Sequence, residues 1–106
     1  MRESALEKKL IQAVKQLGGF SYKFVSPTNR GVADRIVCFP RGYICFVELK
    51  SEQGKLSPLQ EVFKNDMLKL EQCYYLIQSL TDLEYFVSYW HNKLDIANLT
   101  RANELL

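Results

Sequence analysis

The 106-residue sequence holds no apolar run long enough to cross a bilayer, and Met1-Arg2-Glu3-Ser4 lacks the apolar block of a secretory signal. A cytosolic protein is expected. There is one histidine, His91, with nothing at metal-ligand spacing beside it, so it reads as a surface residue rather than a ligand or base. The three cysteines, Cys38, Cys45 and Cys73, form no CxxC pair, and two of them fall in apolar strand-like runs. That pattern speaks against a disulfide framework and for buried reduced thiols. No internal repeat, linker or low-complexity segment is visible. A composition of 47% hydrophobic and 25% charged residues is that of one globular domain.

Net charge is only +2, but it is unevenly spread: ten Lys/Arg face five acids up to residue 60, and four face seven after it. A basic first half suits a polyanionic partner, the more so if some of its acids bind divalent cations. An ordinary solvated surface would show the same counts.

Ser4-Ala5-Leu6-Glu7 has the pattern of a capping box, with Leu6, Leu10, Ala13, Val14 and Leu17 following at helical spacing and Gly18-Gly19 as the stop. Glu7 also lies near the apolar stripe and is placed to face inward. Phe20 to Val25 alternates like a strand, and the polar loop Ser26-Pro27-Thr28-Asn29-Arg30-Gly31 offers donors for phosphate or is a plain connector. Asp34 to Phe39 and Tyr43 to Lys50 read as two strands joined by Pro40-Arg41-Gly42. Ser51 to Ser57 is a loop. Ser57 then caps a helix beginning at Pro58, with Leu59, Val62, Phe63, Met67 and Leu70 as its apolar face. A fourth strand runs from Gln72 to Ile77, and Thr81 or Asp82 caps a last helix, Leu83 to Asn92, in which Trp90 reads as core or interface. Residues 1–92 form the expected domain. Residues 93–106 are an apolar tail that packs on this domain or on a second copy.

Glu48-Leu49-Lys50, at the exit of the third strand, is where chemistry concentrates. A strand of β-branched and aromatic residues has little use for an acid and an amine unless they serve a site, and alternation puts Glu48 and Lys50 on one face. Counting back through a symmetric three-residue turn pairs Phe39 with Tyr43 and Asp34 with Glu48. Like charges directly opposite destabilise a sheet, so that register makes sense chiefly with a cation between them; a bulge would spoil it. Asp34, Glu48 and the backbone carbonyl of Leu49 form an open oxygen set suited to Mg²⁺ or Mn²⁺, and Lys50 would orient a water or stabilise developing charge.

Taken with that hairpin, Glu3-Ser4-Ala5-Leu6-Glu7, Gly18-Gly19, Tyr22-Lys23-Phe24, Gly31-Val32-Ala33-Asp34-Arg35, Phe46-Val47-Glu48-Leu49-Lys50 and Leu56-Ser57-Pro58-Leu59-Gln60 together resemble the VRR-NUC family of PD-(D/E)xK nucleases, over roughly residues 3 to 80. The resemblance implies an α/β (α+β) fold, the restriction-endonuclease-like αβββαβ core followed by a C-terminal helix and tail. It implies a divalent-metal-dependent nuclease, with Asp34 and Glu48 as ligands, Lys50 as catalytic lysine, Glu7 as the helix acid bordering the metal and Gln60 as a supporting residue. Small stand-alone members of phages and bacteria resemble Holliday-junction resolvases and act as dimers. That leads to the expectation of a homodimeric endonuclease on branched DNA, in the cytoplasm of a bacterial or phage-infected cell. Lys23, Asn29, Arg30, Arg35 and Lys55 are the candidate DNA contacts. One position departs from the family: Ala33 stands where a proline usually precedes the aspartate. A catalytically weak DNA-binding module on the same fold is the competing reading. Glu7 as a mere cap, and Glu48 with Lys50 as a surface pair, are the bland ones.

Overall fold

The computed structural model describes the backbone of residues 1–105 and the side chains of residues 1–95. Helix α1 (Glu3–Gln16) forms on the spacing of Leu6, Leu10 and Val14, all fully buried. It begins earlier than the expected Ser4 cap. Arg2 is the N-cap residue and makes no side-chain cap bond, while its carbonyl accepts the N–H groups of Ala5 and Leu6 at 3.1 Å each. Ser4 and Glu7 thus lie inside the helix and form no capping box, which leaves the Glu7 carboxylate for another partner. Gly18, at φ +87, follows the helix end, where a left-handed residue is needed.

Strands β1 (Phe20–Lys23), β2 (Arg35–Cys38), β3 (Ile44–Leu49) and β4 (Tyr74–Ile77) lie in the order β1-β2-β3-β4. The first two pairings are antiparallel and the third is parallel. Each strand is shorter than its expected run. The turn between β2 and β3 is a short 3₁₀ segment, Pro40–Gly42, with Arg41 and Gly42 at positive φ. Phe39 N–H donates to the Tyr43 carbonyl at 2.8 Å, and the ladder from Cys38↔Ile44 to Arg35↔Val47 has no bulge. The symmetric connection read from the sequence is the one present.

One face of the sheet presents Val37, Phe39, Cys45, Val47, Leu49 and Ile77 to α1 and to helix α3 (Leu80–Leu105), and this is the core. Trp90 belongs to it, stacked on Phe39 with ring centroids 4.4 Å apart. The other face carries an aromatic layer of Phe24, Phe46, Phe63 and Tyr74, to which helix α2 (Pro58–Lys69) contributes Phe63. The apolar stripe expected on α2 is only partly used: no residue of α2 is fully buried, and Leu59, Val62 and Leu70 are exposed.

α3 also differs from expectation. Ser79, not Thr81 or Asp82, caps it: Ser79 Oγ accepts the Asp82 N–H at 3.1 Å, and Asp82 Oδ2 accepts the Gln78 N–H at 2.9 Å. The helix runs without a break through the segment that the sequence set apart as a tail, and Leu94 is buried. Of the segment 93–106 in which a dimer contact is expected, the side chains of residues 96–106 lie outside the described residues. His91 is on the surface, 3.6 Å from Asp95. No described helix is long and apolar enough to cross a membrane.

Candidate active site

Alternation along β3 sends Val47 and Leu49 into the core and Glu48 to the opposite face, and the exit residue Lys50 falls in phase with Glu48. Asp34 occupies the bend just before β2, one step beyond the Arg35↔Val47 pair and so across from Glu48. Its Oδ2 accepts the Leu49 N–H at 2.9 Å, standing in for a strand partner where β2 has not yet begun. Its own carbonyl accepts the Phe24 N–H at 2.9 Å. Backbone and side chain both hold the residue.

Glu48 is 1% exposed. Burial pushes its carboxyl up to about 8, the hydrogen bond with Asp34 and the Asp34 charge push the same way, and the Lys50 ammonium pulls against them. A buried carboxyl beside a second carboxylate ionises reluctantly, so in the absence of a cation Glu48 keeps its proton to higher pH than an ordinary glutamate. Gln60 completes this wall. Its Nε2 reaches Glu48 Oε1 at 3.4 Å, while its Oε1 accepts the Ser57 N–H at 2.8 Å and its N–H donates to Ser57 Oγ at 3.2 Å. One capping box, legible as Ser57-x-x-Gln60, therefore both starts α2 and orients a side chain on Glu48.

The loops beside the acids are fixed. Gln78 Nε2 donates to the carbonyls of Ser51 (3.2 Å) and Gly54 (2.8 Å), tying down the segment after Lys50. In the Ser26–Gly31 loop, Asn29 N–H donates to Ser26 Oγ and Asn29 Oδ1 accepts the Gly31 N–H. Gly31 is pressed on the first turn of α2, where a Cβ would stand 2.2 Å from the Leu59 carbonyl oxygen. Gly31→Ala is expected to lower stability by about 2–3 kcal/mol, read as a reduced denaturation midpoint, because backbone must give way. An unchanged midpoint would show that the loop is not held against α2.

The structure sorts the other candidates. Lys23, Asn29, Arg30 and Lys55 are exposed. Arg35, expected at the DNA surface, is turned into the fold: Nε donates to Ser21 Oγ at 2.8 Å, Nη2 to the Ser21 carbonyl at 3.0 Å, and Nη1 lies 3.8 Å from Glu7 Oε2. Glu7 is thus the partner of Arg35. Another acid of α1, Glu3, which is not among the site residues expected from the sequence, is the one whose charge acts on Glu48. Tyr74 was missed as well. Its hydroxyl is buried with no hydrogen-bond partner, and burial and then the charges of Glu48, Glu61 and Asp34 push its ionisation up. Tyr74→Phe is expected to stabilise the cation-free protein by up to about 1 kcal/mol, since it removes an unsatisfied group and little packing. Destabilisation in the same melts would mean that the hydroxyl has a partner in solution.

The donor chemistry suits a hard divalent cation. The N–H and C=O of an extended residue point to the same edge, so the Leu49 carbonyl is turned toward Asp34, beside two carboxylates. Among the described residues no three or more His, Cys, Asp or Glu side chains are arranged to hold a metal ion. A cation here would take two carboxylates, a backbone oxygen and water, in keeping with the reluctance of Mg²⁺ to lose its hydration. A separate cleft of about 490 Å³ between α1 and α3, lined by Lys9, Leu83, Val87 and His91 among others, shares no residue with the acid pair.

No family model matches the chain. The protein p44 of Acyrthosiphon pisum secondary endosymbiont phage 1, named as a candidate nuclease, is 50% identical over 60 residues, which is 57% of this chain. The matched part spans 64% of the length of p44. A solved structure described as a VRR_NUC domain superposes with a TM-score of 0.76 at 26% identity, covering 81% of this chain and 94% of that one.

Proposed function

We propose, for a chain that belongs to the VRR-NUC family, that it is a Mg²⁺- or Mn²⁺-dependent DNA endonuclease that hydrolyses phosphodiester bonds in branched DNA. The observation that carries the reading is the contact between buried Glu48 and half-buried Asp34 at the end of the hairpin, with Lys50 in phase beside it. A sheet that brings two carboxylates together in a dry site is unstable unless a proton or a cation sits with them.

A divalent cation at Asp34, Glu48 and the Leu49 carbonyl would supply Lewis acidity toward a phosphoryl oxygen. The protein groups do the rest. The Leu49 N–H fixes one oxygen of Asp34. Gln60 sets the orientation of Glu48. Lys50 orients the attacking water or stabilises the charge that builds on the phosphate. Exposed Lys23, Asn29, Arg30 and Lys55 would contact DNA phosphates, which makes binding salt-dependent.

Branched DNA and a homodimer belong together, because two-fold symmetry places two sites on opposed strands of a junction. The test is a panel of junction, flap and linear duplex DNA with Mg²⁺, Mn²⁺ or EDTA. Metal-dependent cleavage of junctions over linear duplex, abolished by Asp34→Ala, supports the proposal. Cleavage untouched by Asp34→Ala overturns the site, and binding without cleavage in any metal makes the chain a DNA-binding module. Sedimentation giving a monomer at micromolar concentration removes the dimer.

A further inference from the structure

On the core face of the sheet, Cys45 of β3 and Cys73, just ahead of β4, stand with their sulfur atoms 2.7 Å apart. Register puts them there. Phe46 pairs with Tyr74 in the parallel ladder, so the preceding residues are neighbours too, and the Phe46 N–H donates to the Cys73 carbonyl at 2.9 Å. Adjacent strands run about 4.8 Å apart, within the Cα separation of about 4.4–6.8 Å that a disulfide spans. Neither strand need move.

The two thiols differ. Cys45 is fully buried, whereas Cys73 is partly exposed and within reach of a small oxidant. The hydrogen bond with Cys45 holds the Cys73 thiol below its usual range against the effect of burial, and the Lys93 ammonium acts in the same sense. Lys93 is kept nearby by the rings of Tyr43 and Tyr89, 5.1 and 5.7 Å from its Nζ. A partly exposed, acidified thiol beside a second, sheltered one is the arrangement of an attacking and a resolving cysteine. Cys38 lacks it: on β2 it alternates to the other face from core residue Val37.

We propose that Cys45 and Cys73 are a redox modification site, converted by a peroxide-class oxidant into an intramolecular disulfide that joins β3 to β4 and is reopened by thiol reductants. The Cys73 sulfur attacks one oxygen of hydrogen peroxide, the O–O bond breaks, and Cys73 sulfenic acid forms as the other oxygen leaves as water. The Cys45 sulfur then attacks the Cys73 sulfur; the S–O bond breaks and the hydroxyl departs as a second water with the Cys45 proton. Two thiols lose two protons and two electrons, and one peroxide takes them up to become two waters. The site does not depend on the chain being a nuclease.

The test treats the full chain with equimolar hydrogen peroxide, alkylates it without reductant, and reads intact mass and peptides. The expected product is lighter by about 2 Da before alkylation, contains a Cys45–Cys73 linked peptide, carries its alkyl group on Cys38, and reverts with dithiothreitol. In Cys45→Ser the reaction stops at a sulfenic acid that dimedone traps on Cys73. A link that includes Cys38, dimedone on Cys38 in preference to Cys73, or peroxide that oxidises Cys38 while Cys45 and Cys73 both stay alkylatable would overturn the proposal; the wild-type map decides it even if the serine variant does not fold.

Discussion

Glu48→Gln is expected to lower Mg²⁺- or Mn²⁺-dependent cleavage by about 10²-fold or more and, in the same protein, to raise stability in EDTA at alkaline pH. The two effects have one origin. In the cation-free fold the Glu48 carboxyl is pushed from 4.5 up to about 8 by burial and by Asp34. Between those values the unfolded chain has released the proton and the folded chain still holds it. Stability therefore falls as pH rises through that window, with a limiting slope of about 1.4 kcal/mol per pH unit for one whole proton, and the loss is complete above the folded value. Glutamine has the shape of the protonated acid and nothing to release, so the slope from this position should vanish while a ligand charge is lost. Denaturant melts in EDTA from about pH 5 to pH 9, beside Mn²⁺ titration by calorimetry, check both halves. A variant that keeps the wild-type slope would rule out Glu48 as the titrating group.

Lys50→Ala is expected to reduce single-turnover cleavage by about 10²–10⁴-fold with Mn²⁺ affinity changed only a few-fold. Lys50 contributes no oxygen to the cation, and its ammonium lies close enough to favour the ionised form of Glu48. Removing it should push the Glu48 carboxyl higher still, so residual activity should move to more alkaline pH. Lys50→Arg keeps the charge but not the compact donor, and should restore the pH profile more fully than the rate. Equal losses in metal binding and cleavage would make Lys50 an organiser of the acids rather than a group acting on the phosphate.

The part of the site that was legible in the sequence is the part set by short-range geometry. Asp34 meets Glu48 because strands alternate with period 2 and a three-residue turn fixes the register, and both can be counted. Ser57 and Gln60 were readable for the same reason, as neighbours on one helical turn. The rest turned on longer-range placement. The Ser4 cap gave way to an earlier start that packing of Leu6 and Leu10 allows, which exchanged the surroundings of Glu3 and Glu7. Arg35 looked like a phosphate contact until β1 supplied Ser21 as its partner. Cys45 and Cys73 were unrelated in sequence because parallel strands have no connecting turn to set their register; the α2 crossover does it. The apolar face counted on α2 is only partly covered, since periodicity reports such a face but not how much sheet lies beneath it.

The β2–β3 hairpin has a consequence for the order in which the chain folds. Its contacts join residues close in sequence, so loop closure costs little, whereas the parallel β3–β4 pair must wait for α2 to be laid down. Asp34 and Glu48 would then meet early, before the domain has a complete core to compensate their repulsion. Refolding in EDTA should accordingly slow as pH rises, and a divalent cation should speed it rather than only slow unfolding. In that case the ion that equips the finished protein for chemistry would also act as a folding nucleus for it.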